Sequence, residues 1–238
     1  MIRKNRPIRM EVLEDRTLLN ASPEIIANIN SVVSFSSNPR DFIEIGDHLF
    51  FTAFDATSGR ELWKTDGTSA GTVLVKDIRP GTSSGSPNYL TEVGGTLFFN
   101  ADDGSNGYEL WKSDGTSAGT VLVKDIHPGA SSSYAYNLTK AGGTLFFRAD
   151  DGTNGTELWK SDGTSAGTVL VKNFALEGSA NVEDLTDVDG TLFFTADNGE
   201  FGRELWKSDG TVAGTQLVKD ITPGASGTTF REIGRAHV

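Results

Sequence analysis

Hydrophobic residues along this chain alternate with polar ones in short runs, and no helical spacing intervenes between turns. From Thr96 to Ala101, Leu97, Phe99 and Ala101 fall on one side, with Phe98 and Asn100 on the other. From Tyr108 to Ser113, Leu110 opposes Glu109 and Trp111; from Thr120 to Ile126, Val121 and Val123 oppose Leu122 and Ile126. With Tyr89 to Val93 ahead of them, these runs predict four strands, because a period of two places successive side chains on opposite sheet faces. Gly94-Gly95, the Gly-rich stretch 102–107 and the Asp-Gly-Thr-Ser-Ala-Gly stretch 114–119 connect them. These residues accept the positive φ of tight hairpins.

The pattern recurs. Glu-Leu-Trp begins at Glu61, Glu109, Glu157 and Glu204, with spacings of 48, 48 and 47, and these tripeptides hold all four tryptophans. Leu-Phe-Phe precedes each (Leu49, Leu97, Leu145, Leu192), and Asp-Gly-Thr follows (Asp66, Asp114, Asp162, Asp209). A Leu-Val-Lys run closes each unit at Leu74, Leu122, Leu170 and Leu217. Four antiparallel strands in a repeat of this length describe a β-propeller blade, whereas stacked solenoids use shorter repeats. The expected fold class is therefore all-β, a propeller of four-stranded antiparallel blades, with units at about 40–78, 88–126, 136–174 and 183–221.

Composition narrows the chemistry. The 238 residues can bury a sizeable core, and the charged fraction of 22% with 28 Gly suits a turn-rich globular chain. Without cysteine, disulfides, thiolate metal sites and a Cys nucleophile are excluded. No apolar run approaches the ~20 residues of a membrane-spanning helix. The net charge is -11, and residues 1–20 carry five basic against three acidic residues, so the rest is more acidic still. Such a body repels phosphate backbones, and nucleic acid is not an expected partner.

The string Glu-Leu-Trp-Lys-Ser-Asp-Gly-Thr-Ser-Ala-Gly-Thr-Val-Leu-Val-Lys-Asp-Ile, Glu109 to Ile126, resembles the ELWxxDGT repeat family of large exported bacterial proteins, over roughly residues 40–226. The third unit departs after Lys172, with Asn173-Phe174 in place of Asp-Ile. Ala53-Phe-Asp-Ala-Thr-Ser-Gly-Arg-Glu-Leu-Trp63 is also similar to the tryptophan-docking motif AxDxxTGxxxW of quinoprotein-type propellers. Unit two keeps Ala101, Asp103, Gly107 and Trp111; unit three keeps Ala149, Asp151, Gly155 and Trp159; unit four has Asn198 and Phe201 at the Asp and Thr places, before Gly202 and Trp206. That resemblance implies blade-docking roles for Trp63, Trp111, Trp159 and Trp206, with Asp55, Asp103, Asp151, Gly59, Gly107, Gly155 and Gly202 shaping the turns.

At the N-terminus, Arg3, Lys4, Arg6 and Arg9 precede Leu13-Glu-Asp-Arg-Thr-Leu-Leu19, which resembles the LEPR-XLL motif of exported bacterial proteins; no apolar stretch of a secretory signal follows. Residues 1–22 are expected to be a disordered leader or targeting segment, and Ile25 to Ile29 an extra fourth strand within the repeat region 23–230. Thr229 to Gly234 begins like another unit, and Ile233 to Val238 also matches a translated sequencing adapter. Residues 231–238 are thus expected to be a unit start or an artefact, and the chain a truncated propeller.

Candidate chemistry is sparse. His48, His127 and His237 do not recur at equivalent positions, and no His-Glu-x-x-His, P-loop or Gly-x-Ser-x-Gly appears. Asp102-Asp103 and Asp150-Asp151, in Gly-rich loops, are candidate Ca²⁺ ligands. The competing reading is a turn in which Asp caps its own backbone. Asp114-Gly115-Thr116 is similar to the Asp-box of sialidase-type propellers, but Arg60, Arg79, Arg148 and Arg203 are scattered in sequence. Lys64, Lys112, Lys160 and Lys207 read as solvated rungs. Units this alike suit a non-enzymatic, secreted or surface scaffold without cofactor, binding a protein or polysaccharide through loops such as Ser83 to Asn88, Ser131 to Tyr136 and Glu177 to Glu183. The alternatives are a propeller hydrolase or lyase on extracellular polysaccharide, which needs unlike acidic residues in one axial pocket, and a calcium-stiffened repeat.

Overall fold

The computed structural model describes residue 29, residues 36–174 and 178–221, and residue 223. The expectations for residues 1–22 and 231–238 lie outside the described residues, as does the strand at Ile25 to Ile29 apart from Ile29 itself. Sixteen strands and no helix occupy the described residues. The first sheet comprises β1 (Arg40–Ile45), β2 (His48–Asp55), β3 (Gly59–Thr65) and β4 (Val73–Lys76). The second has β5 (Asn88–Val93), β6 (Thr96–Asp102), β7 (Tyr108–Ser113) and β8 (Val121–Lys124); the third β9 (Tyr136–Ala141), β10 (Thr144–Asp150), β11 (Thr156–Ser161) and β12 (Val169–Lys172). The fourth has β13 (Glu183–Val188), β14 (Thr191–Asp197), β15 (Arg203–Ser208) and β16 (Gln216–Lys219). Each sheet is an antiparallel meander in chain order. The β5–β6 hairpin turns on Gly94 and Gly95 at φ 61° and 83°, as the Gly-Gly pair requires.

Register explains why both faces of each blade are apolar. Phe99 lies opposite Trp111 and Phe98 opposite Lys112. Leu97, Phe99, Ala101 and Trp111 then pack on Phe50, Leu62, Val75 and Ile78 of the preceding blade. The other face sends Phe98 and Leu110, with Val123 and Ile126, against Leu145, Phe147 and Trp159 of the following blade. The third interface repeats this scheme with Phe146, Leu158, Val171 and Phe174 under Trp206. On the first blade, Phe51, Ala53 and Trp63 receive Ile29. The core is thus a series of layers between sheets. Leu62, Leu110 and Leu158 are fully buried beneath the next blade, while Leu205, with no following blade among the described residues, is 37% exposed.

The innermost strands follow one another, β1 beside β5, β5 beside β9 and β9 beside β13, so the blades form a consecutive propeller-like arc. Each innermost strand is bulged against its partner, with register breaks at Arg40/Ile43, Asn88/Thr91, Phe146/Arg148 and Glu183/Thr186. The second residue of each carries a left-handed backbone: Asp41, Tyr89, Asn137 and Asp184, at φ of 59°, 58°, 55° and 56°.

Candidate functional site

Most residues shared by the repeats hold the blades together. Trp63, Trp111, Trp159 and Trp206 are all buried; the last three lie against the preceding blade. Trp206 donates through Nε1 to the Ala196 carbonyl at 3.2 Å, whereas the other three indole N–H groups have no acceptor. Gly107, at φ 69°, passes so near the inter-blade loop that a Cβ would lie 2.5 Å from the Ser131 carbonyl oxygen. That closeness lets the Tyr108 N–H donate to Ser132 Oγ at 2.9 Å. Gly59 and Gly155 approach Ser83 and Gly178 in the same way, and Gly202 shares the positive φ.

The aspartates of these turns face their own backbone. Asp55 accepts from the N–H and hydroxyl of Thr57. Asp103 Oδ1 accepts from the N–H groups of Ser105 and Asn106 at 2.8 and 2.9 Å, and Oδ2 from Asn106 Nδ2. Asp151 repeats this with Thr153 and Asn154. Burial raises the Asp103 and Asp151 pKa values, but these hydrogen bonds outweigh it and hold both carboxyls below their usual range. Asp102 accepts from the Gly104 N–H and pairs with Arg79 at 2.6 Å; Asp150 accepts from Gly152. Among the described residues no group of three His, Asp or Glu side chains is placed to hold a metal ion. With these oxygens turned to N–H donors, a calcium chelator is expected to leave the melting temperature unchanged. Asp103→Ala should cost about 1–2 kcal/mol in a denaturant titration. A chelator-induced fall in melting temperature would restore the calcium-stiffened reading.

The Asp-Gly-Thr turns follow the same economy. Asp114 Oδ1 accepts from the Thr116 N–H and hydroxyl, Thr116 Oγ1 accepts from the Gly119 N–H, and the Thr120 hydroxyl donates back to the Thr116 carbonyl. The hydrogen bonds from Thr116 hold the Asp114 carboxyl below its usual range. Of the four lysines read as solvated rungs, Lys207 is exposed, whereas Lys112 is bonded across the blade interface. Lys112 donates to the Gly163 carbonyl of the next blade at 2.8 Å, because its long stem lies along the interface; Lys124 likewise reaches Thr168.

One shared residue has a role that its place in the repeat string did not reveal. The carboxylate of Glu109 is fully buried between blades. Its Oε2 accepts from the Ile126 N–H at 3.0 Å and the Ser133 hydroxyl at 2.6 Å, and its Oε1 from the N–H groups of Ser133 and His127 at 2.9 and 3.3 Å. Glu61 grips Ile78 and Gly85 in the equivalent loop, and Glu157 holds the Phe174 N–H. These glutamates latch the inter-blade loop. Desolvation pushes Glu61 and Glu109 up to about 7, against the pull of the hydrogen bonds.

The unlike residues gather elsewhere. At the bulged end of the inner strands lies a cavity of about 680 Å³ lined by Asp41 and Phe42 of the first blade, Asn88, Tyr89, Leu90, Asn100 and Tyr108 of the second, and Tyr136 of the third. Three of the chain's four tyrosines line it, and the fourth, Tyr134, packs on Tyr136 beside it. Tyr136 has ring centroids 5.0 Å from Tyr89 and 5.6 Å from Tyr134, and the Arg148 guanidinium lies 5.7 Å from its ring centre. Burial, then the neighbouring Tyr89, raises the Tyr136 pKa and keeps the phenol neutral. A smaller cavity of about 380 Å³ continues past Tyr134, Tyr136, Arg148 and Asn181. Tyr89 and Tyr134 are left-handed at φ 58° and 51°, where other repeats place Asp or Asn, or Ser. Asn and Asp visit that region readily; for a bulky ring it is strained. Asn100, fully buried on the cavity floor, has no partner for Oδ1 or Nδ2. Its counterparts are Thr52, Arg148 and Thr195.

Neither a protein-family model nor a curated protein matches the chain. Among solved structures, a puromycin hydrolase is similar at 16% identity over 75% of this chain and 28% of its own, with a TM-score of 0.50. A prolyl endopeptidase gives 12% identity over 72% of this chain and 24% of its own, with a TM-score of 0.48. The computationally designed Ika4 protein gives 16% over 75% and 96%, with a TM-score of 0.41. The chain therefore spans little more than a quarter of the hydrolase it resembles, and the likeness is one of fold alone, an array of four-stranded antiparallel sheets.

Proposed function

We propose that this chain is part of an exported, non-enzymatic β-propeller scaffold that binds a partner at the cell surface. The observation that carries the reading is the division of labour among side chains. Residues common to the repeats are engaged in blade docking, loop latching and turn closure, whereas the cavity at the inner strand ends is lined mostly by residues that differ between repeats. Proteins place recognition on such variable positions of a rigid scaffold. The basic N-terminal segment and the LEPR-XLL resemblance support export.

A polysaccharide hydrolase is the second reading. Two carboxyl groups flanking the scissile bond are its usual requirement. The residues lining the larger cavity supply one, Asp41, whose Oδ2 already accepts from Thr52 at 3.0 Å. Labelled protein applied to intact cells of the producing bacterium tests the two. The scaffold reading expects retention on the cells, at least tenfold weaker for Tyr136→Ala, with no release of reducing ends. Undiminished retention of that variant sinks the cavity's role, and release of reducing ends sinks the non-enzymatic reading.

A further inference from the structure

We infer that the tyrosine-lined cavity binds a pyranose unit of a neutral polysaccharide, a sugar face lying against the Tyr89–Tyr136 pair and its hydroxyls turned to Asn88, Asn100 and Asp41. The inference rests on the scaffold reading and names the partner's chemistry.

Three features select that chemistry. A pyranose has an apolar C–H face and a rim of hydroxyls, each both donor and acceptor. The cavity offers the complement: tyrosine rings for the face, and two amides and a carboxylate for the rim. Its volume of about 680 Å³ falls within the range of small-ligand sites. Charge then excludes acidic sugars. The body is strongly acidic, Asp41 stands on the wall, and the nearby cation Arg148 is turned to Glu183 at 3.4 Å. A proline-rich peptide also favours tyrosine grooves, but it has few N–H donors and would leave Asp41 facing carbonyl oxygens.

Two residues at the site are poor choices for the fold and good ones for a guest. Tyr89 is 44% exposed on a left-handed backbone where the next repeat has Asn137, so neither burial nor backbone preference explains it. Asn100, among the residues lining the cavity, keeps an amide that is buried without a partner. Strain and unsatisfied polarity concentrate at functional sites because binding compensates for them.

The test is saturation-transfer NMR and calorimetry with neutral hexasaccharides of glucose, mannose, galactose and xylose, a decaproline peptide being the competing probe. At least one hexasaccharide should bind. Tyr136→Ala should weaken it at least tenfold, and Tyr136→Phe, which keeps the ring face, by less than threefold. Tyr89→Asn and Asn100→Leu should bind more weakly yet melt a few degrees higher, which a merely structural role would not produce. If no hexasaccharide binds while cell retention still depends on Tyr136, the sugar assignment falls and the scaffold stands. Decaproline binding that Tyr136→Ala abolishes also overturns it. If retention is indifferent to Tyr136, both readings fall.

Discussion

Replacing Trp111 by alanine is expected to remove about 3–5 kcal/mol of unfolding free energy, the range for large aromatic truncations in packed cores. The indole is buried against Phe50, Leu62, Val75 and Ile78 of the preceding blade, so its loss empties the layer between two sheets and not a dimple within one. In a repeat fold each unit contacts only its neighbours, and a blade has no other way to bury that face. Urea titration followed by circular dichroism measures the effect. A loss below about 1 kcal/mol would mean that the blades close over the gap and that the indole is not the docking element. The N–H groups refine the test. Trp111 has no acceptor for Nε1, while Trp206 donates to the Ala196 carbonyl. Phenylalanine should therefore be tolerated better at 111 than at 206, where it also discards a hydrogen bond of about 1 kcal/mol.

Strands were legible in the sequence because two signals agreed at each boundary. The alternation Leu97, Phe99, Ala101 matches the observed face of β6, and the Gly94-Gly95 and Asp-Gly-Thr punctuation falls at its hairpins. Only the fourth strand was read too long, since β8 ends at Lys124 before Asp125 and Ile126 enter the inter-blade loop. The site was less legible for two physical reasons. Glu109 looked like an ordinary charged residue in a repeated string, although its alternation placed it on the same face as Trp111, one of the blade's two packed faces. A carboxylate on a packed face signals a cluster of backbone donors, but those donors come from a loop some 20 residues downstream, which spacing alone does not place. Tyr89, Tyr108, Tyr134 and Tyr136 lie on two blades and in the loop between them, so their convergence depends on how neighbouring blades pack. The available signal was the repeat itself. Its column of Arg40, Asn88, Tyr136 and Glu183 differs in every unit, while the Leu-Phe-Phe string that starts nine positions on stays constant.

The buried glutamates give the fold an unusual pH response. In the folded chain desolvation raises Glu61 and Glu109 from about 4.5 to about 7, so the native state binds protons that the unfolded chain releases. Stability from this source is complete below the unfolded value of about 4.5 and is lost as pH rises through about 7. Each group contributes a slope of at most about 1.4 kcal/mol per pH unit across that window. Asp66, Asp114, Asp162 and Asp209 act oppositely. Their turn hydrogen bonds, led by the threonine hydroxyls, depress the folded pKa, so their contribution disappears as pH falls below the ordinary carboxylate range. The melting temperature should therefore peak near pH 5 and decline toward pH 8. Glu109→Gln should lie below the wild type at every pH, because an amide NH₂ would face the Ser133 and Ile126 donors, and should flatten the decline by about half. A melting temperature that rises or stays level from pH 5 to pH 8 would show that the clustered N–H donors prevail over burial and that the latches are ionised throughout.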